Sequence, residues 1–205
     1  MCTIYLNRAM ICHFNWFVDA IKSSNSIHII DTIKWGIRDA DLMIHCDALL
    51  SRLGFVNLNA YIGFCATIPS DTPLSIILFY KALCVISTIL WASELLQVPC
   101  RLLIFTDSLN TVEMFNSLQS TDGYMELLLF AVHILLDSRI VLHVFHIPGT
   151  DNFIADALSH QLLTTAASYL LGLQVHPPLS TPLQCAGAAS LMLPRLPKAW
   201  QPTCK

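Results

Sequence analysis

The sequence is poor in charge, and positive charge is especially scarce. Only 12% of the 205 residues are charged, and 11 of them are Lys or Arg, for a formal net charge of −3 at pH 7. Proteins hold nucleic acid largely by neutralising its phosphates with Lys and Arg. This composition therefore argues against an independent nucleic-acid-binding protein. The hydrophobic content of 55% excludes a disordered chain and allows one well-buried domain of ordinary size.

The cysteines lack the spacing of a metal site or a disulfide framework. They stand at positions 2, 12, 46, 65, 84, 100, 185 and 204, with no CxxC pair and no Cys/His cluster at zinc spacing. Several lie in apolar runs, where Cys behaves as a small buried hydrophobe. The sequence therefore predicts reduced thiols and an intracellular protein, and it does not distinguish cytoplasm from nucleus.

The first 17 residues are not expected to be a secretory signal, because polar residues break their apolar runs and no small-residue cleavage site follows. One long apolar run remains, residues 74–92, with Lys81 as its single charge. Its length permits a transmembrane helix. A lysine at the centre would cost about 2.5–3.5 kcal/mol on insertion. A buried helix packed on a sheet is favoured, no membrane partner is expected, and a membrane-associated protein is the alternative.

Apolar runs and turn residues predict an α/β fold. Strands are predicted at residues 42–47, 54–65, 101–106 and 140–146, and helices at 76–96, 108–118, 126–136 and 151–163. The order β-β-α-β-α-α-β-α mixes hairpin and crossover connections. This mixture implies a mixed sheet with helices on its faces.

Three regions are predicted along the chain. Residues 1–40 form a helical connecting segment, in which Ile11, Phe14, Phe17, Val18 and Ile21 share one helix face. Residues 41–163 form the α/β domain. Residues 174–205 are rich in proline and small residues, which predicts an extended tail without a packed core.

Acidic residues stand at the ends of two predicted strands and near the start of the last helix. Asp47 lies in IHCDALL, Asp107 in IFTDSLNTV and Asp156 in VFHIPGTDNFIADALSH, where His146 precedes Asp156 by ten residues (156 − 146). Such acids can converge on one edge of a sheet, where a divalent cation relieves their mutual repulsion. Mg²⁺ is the expected ion because it prefers oxygen ligands.

Together these segments resemble the metal-binding frame of a ribonuclease H domain, of the kind attached to retroelement reverse transcriptases, over roughly residues 41–163. The resemblance implies a ribonuclease H-like mixed sheet flanked by helices, Mg²⁺ or Mn²⁺ as cofactor, and former fusion to a polymerase. It also implies hydrolysis of the RNA strand of an RNA–DNA hybrid by two-metal catalysis.

The resemblance assigns a role to each of these residues. Asp47, Asp107 and Asp156 are expected as catalytic metal ligands, and His146 as a catalytic residue that assists proton transfer and product release. Asn110 is a candidate contact to nucleic acid, with helix capping or solvation as an equal alternative.

One position departs from the family pattern, because Lys81 in FYKALCVIS stands where a metal-bridging glutamate is expected. A protonated amine cannot ligate a metal and repels Mg²⁺. We predict that Lys81 forms salt bridges with Asp47 and Asp107 in place of the metal, which impairs the nuclease. A catalytically dead nucleic-acid-binding or interaction module is the remaining alternative.

Overall fold

The protein is described from a computed structural model that covers residues 11, 14–15, 18, 35–68, 76–95, 100–120 and 124–176. The chain divides into two units, one formed by Met1–Lys34 with Arg195–Lys205 and the other by Trp35–Pro194. In the first unit, the four described residues are helical and exposed. The other residues of the predicted connecting segment up to residue 34, and the tail from residue 177, lie outside the described residues.

The second unit contains a sheet and five helices among its described residues. The strands are β1 (Leu42–Ala48), β2 (Arg52–Asn57), β3 (Ile62–Thr67), β4 (Cys100–Thr106), β5 (Ile140–His146) and β6 (Gln174–His176), and the helices are α1 (Ile77–Leu95), α2 (Leu109–Ser117), α3 (Met125–Asp137), α4 (Phe153–Ser159) and α5 (Leu163–Tyr169). Short 3₁₀ turns occur at Ile37–Asp39 and Gly149–Asp151.

The six strands form one mixed sheet in the order β5-β4-β1-β2-β3-β6. Strands β1, β2 and β3 are successively antiparallel. Strand β4 is parallel to β1, β5 is parallel to β4, and β6 is parallel to β3. The predicted class, an α/β mixed sheet flanked by helices, is confirmed.

Helix α1 forms the centre of the main core, on the face of the sheet that also carries α3. In the described part of the chain it is the one helix that is long and apolar enough to cross a membrane, by length and composition alone. However, 67% of its most apolar window is buried inside the protein. Hydrophobic residues surround the helix on nearly every side, as expected of a helix enclosed by a core.

The opposite face of the sheet carries α4, which packs on β1, β2 and β3. Gly54 in β2 permits this contact, because a Cβ at that position would lie 2.5 Å from the backbone nitrogen of Ser159. A smaller apolar cluster forms on this face around Val56, Leu158 and Ala166. The close approach brings the end of α4 to β1.

The prediction of a single strand at residues 54–65 was wrong, because the segment forms the β2–β3 hairpin. The Asn57 side chain accepts hydrogen bonds from the backbone N–H groups of Asn59 (3.0 Å) and Ala60 (3.1 Å). Tyr61 then adopts a left-handed conformation with φ of 58°. This local side-chain turn prevails over the apolar pattern that suggested a continuous strand.

The prediction of one closing helix at residues 151–163 was also wrong. The helix α4 ends at Ser159, and Gln161 adopts a φ of 60° before α5 begins at Leu163. A left-handed residue reverses the chain and cannot belong to a continuous right-handed helix. The strand β6 that follows was not predicted.

Candidate functional site

Two of the predicted acids lie at the same edge of the sheet. Asp47 is near the end of β1 and Asp107 directly follows β4, and these two strands are parallel neighbours. The Asp47 side chain is 3% exposed, whereas that of Asp107 is 31% exposed. A buried carboxylate is strongly destabilising unless it is paired.

Lys81 supplies the partner of both carboxylates. It lies near the start of α1, and its Nζ forms ion pairs with Oδ1 of Asp47 and, at 2.6 Å, with Oδ1 of Asp107. Its side chain is 12% exposed, so both pairs are largely removed from water. The salt bridges predicted for Lys81 are therefore confirmed. The group consists of two carboxylates and one ammonium, with a net charge of −1.

The surroundings keep the ammonium of Lys81 protonated. Burial on its own would lower the pKa of Lys81, but the charges of Asp47 and Asp107 and their hydrogen bonds outweigh burial and raise it above 10.5. Two neighbouring groups are held neutral. Burial lowers the pKa of His45, although a hydrogen bond with the Asn152 side chain acts in the opposite direction. A hydrogen bond with Cys84, together with burial, raises the pKa of the Cys46 thiol well above 9.0.

Ser159 holds the second oxygen of Asp47, a role that sequence reasoning missed. Its Oγ lies 2.7 Å from Asp47 Oδ2 and 2.8 Å from the backbone oxygen of Asp156, so its single proton serves two acceptors. The sequence signal for this contact was Gly54, which stands opposite Asp47 in the β1–β2 register. A glycine at that register position admits the backbone of α4.

Asp156 lies apart from the Lys81 ion pairs. It lies in the first turn of α4, its side chain is 56% exposed, and its carboxylate is 3.5 Å from Nε2 of His160. The connection to Asp47 runs through Ser159 and the Asp156 backbone rather than through the Asp156 carboxylate.

His146 and Asn110 border the same edge without joining the ion pairs. His146 is exposed at the end of β5 and stands opposite Thr106, the residue before Asp107. Asn110 is exposed in the first turn of α2, where Ser108 caps the helix through the backbone N–H of Thr111. Gly149 lies beside Asp107, because a Cβ at that position would be 3.9 Å from Asp107 Oδ2.

This arrangement does not fit a divalent cation. Within the described ranges, no group of three or more His, Cys, Asp or Glu side chains is placed to hold a metal ion. The Nζ of Lys81 contacts Asp47 and Asp107, the two carboxylates that would have to share the metal. Mg²⁺ requires near-ideal octahedral oxygen coordination, and an ammonium at this position repels it.

Stability at alkaline pH should depend on Lys81. Because its pKa in the folded protein is above the ordinary 10.5, its contribution is complete below that pH and is lost as pH rises through the folded pKa. Urea unfolding at pH 8 to 11.5 should show wild-type stability converging on that of Lys81→Met above about pH 10.5. A constant difference between them across this range would contradict the expectation.

Comparison of the sequence with protein-family models gives no match. No curated protein matches it either. Among solved structures, the chain is similar to ribonuclease H1 from the halophilic archaeon Halobacterium salinarum NRC-1. The TM-score is 0.48 at 14% sequence identity, and the similarity covers 60% of this chain and 97% of that chain. At this identity the likeness concerns the fold alone.

Proposed function

We propose that this chain is a ribonuclease H-type domain of a retroelement in which Lys81 has replaced the metal and blocks cleavage of the RNA strand of RNA–DNA hybrids. The observation that carries the proposal is the ion-paired group of Lys81, Asp47 and Asp107. Two acids of the motif occupy adjacent parallel strand ends, and a cation sits between them. That cation is an ammonium.

The retroelement origin rests on the segment from His146 to Ser159. The His-Ile-Pro-Gly-Thr-Asp-Asn sequence forms the end of β5 and the 3₁₀ turn, and Asp156 follows in α4. His146 thus borders Asp107, and Ser159 contacts Asp47. Segments far apart in the sequence therefore meet at the edge where the resemblance places the catalytic group. Former fusion to a reverse transcriptase and an intracellular location are part of this proposal.

Reversion of Lys81 to glutamate should restore Mg²⁺-dependent cleavage. Loss of a residue that only hydrogen-bonds to a metal ligand costs roughly 10–100-fold in metal affinity or activity. Restoring a carboxylate that binds the metal directly should therefore raise cleavage of a labelled RNA–DNA hybrid by at least about 100-fold. Mg²⁺ should also raise the melting temperature of Lys81→Glu and leave that of the unmodified chain unchanged.

Lys81→Gln is the matched control, because it removes the ammonium without adding a carboxylate, and it should remain inactive. Cleavage by the unmodified chain would refute the role given to Lys81. If Mg²⁺ stabilises Lys81→Glu but this variant does not cleave, residues other than Lys81 also prevent catalysis. Failure of Mg²⁺ to stabilise Lys81→Glu would refute the proposed metal position itself.

A catalytically dead binding module is a second candidate, favoured by the ion pairs of Lys81, which neutralise the two acids without a metal. The recognition of a hybrid would then depend on its shape and the RNA 2′-hydroxyl groups. Filter binding of the unmodified chain to an RNA–DNA hybrid, with double-stranded DNA as competitor, tests this candidate. Selective retention of the hybrid without cleavage would support it, and equal competition by DNA would exclude it.

A further inference from the structure

We propose that Asn116 prevents the outer edge of β5 from pairing with a strand of a second copy of this chain. Strand β5 is the last strand of the sheet order, so one side of it has no neighbouring strand in the part of the chain described. A free strand edge presents a row of backbone donors and acceptors that can template a further strand.

The backbone of Val144 faces this outer side. Backbone N–H and C=O groups of successive strand residues point to alternate sides, and those of one residue point to the same side. The N–H of Ile147 donates to the carbonyl of Thr106, on the β4 side. Val144, three residues earlier, therefore directs its N–H and C=O away from β4, near the middle of the free edge.

The Asn116 side chain forms hydrogen bonds with both of these backbone groups. It lies near the end of α2, its Nδ2 donates to the carbonyl of Val144 at 2.7 Å, and its Oδ1 accepts from the N–H of Val144 at 3.0 Å. A primary amide carries the same donor and acceptor as a peptide unit. The side chain thus takes up the two hydrogen bonds that an incoming strand would form at this point.

A second copy is the partner that this edge fits. Strand β5 (IVLHVFH) is rich in β-branched and apolar residues and contains no Asp, Glu, Lys or Arg, so it lacks the charges that often protect an edge. Every copy presents the same uncharged strand, which makes self-pairing available. The opposite edge strand, β6, has only three residues, and very short edge strands are poor templates.

Asn116→Ala should therefore increase self-association. Sedimentation velocity over a range of concentrations should show association at least about tenfold stronger than for the unmodified chain, because two outward hydrogen bonds become available. In the associated species, hydrogen exchange of the Val144 amide should be slowed, since that amide would pair across the interface.

Asn116→Lys separates edge closure from loss of stability. It removes the same two hydrogen bonds and should lower the melting temperature by a similar amount, but the charge should keep the edge closed. Association of Asn116→Ala alone would support the proposal. Equal association of both variants would overturn it, because destabilisation would then be the cause. No association of folded Asn116→Ala would overturn it as well.

Discussion

Lys81→Met is expected to lower the free energy of unfolding by about 3 kcal/mol or more, because removing one partner of a buried ion pair leaves an uncompensated charge. Asp47 is 3% exposed and cannot regain water without opening the structure. Ser159 continues to hold one of its oxygens, but a hydroxyl does not neutralise a carboxylate. Methionine retains an unbranched apolar stem of four heavy atoms like that of lysine, so the loss reports mainly the missing charge. Urea unfolding followed by far-UV circular dichroism measures it.

The double variant Lys81→Met/Asp47→Asn is the matched control for this loss. Replacing both partners of a buried ion pair by neutral groups of similar size is often close to neutral. The double variant should therefore recover most of the stability that Lys81→Met loses. If it is no more stable than Lys81→Met, the ion pair is not the source of the loss.

Asp107→Asn should lower the free energy of unfolding less than Asp47→Asn does, because the Asp107 side chain is 31% exposed.

Lys81 also explains how Asp47 and Asp107 can stand close together without a divalent cation. Two carboxylates at adjacent strand ends repel each other, and the structure needs a cation between them. An ammonium carried by α1 supplies that cation within the chain itself. The domain would then fold in the absence of divalent ions, whereas a glutamate at position 81 would add a further negative charge and create a dependence on Mg²⁺.

The parts of the fold that the sequence predicted are those set by short-range patterns. The apolar runs before Asp47 and Asp107 identified β1 and β4. The ion pairs of Lys81 with these acids were expected only because of the resemblance to a ribonuclease H domain. The turn at Asn57 was missed because its side-chain hydrogen bonds compete locally with an apolar pattern that also fits a strand. The role of Ser159 was missed because it depends on how closely α4 approaches β2.

Gly54→Ala is expected to destabilise the protein by about 3 kcal/mol, because overpacking a close backbone contact forces a shift of a whole element. The added Cβ would lie 2.5 Å from the nitrogen of Ser159 and 2.8 Å from the carbonyl oxygen of Ala155. These are backbone atoms of α4, which cannot move aside as a side chain can. Displacing α4 would also separate Ser159 from Asp47, which are joined by a hydrogen bond of 2.7 Å.

Gly63→Ala is the matched control, because this glycine lies in the neighbouring strand and faces the same helix. The atoms nearest to its Cβ would be the ends of the Leu158 and Leu173 side chains, at 3.0 and 3.2 Å. Flexible side chains can adjust, and alanine is more favourable than glycine in a strand by roughly 0.5–1 kcal/mol, so the net change should be small. Thermal and urea unfolding of both variants measure the contrast. Equal losses would show that the backbone contact at Gly54 does not determine the position of α4.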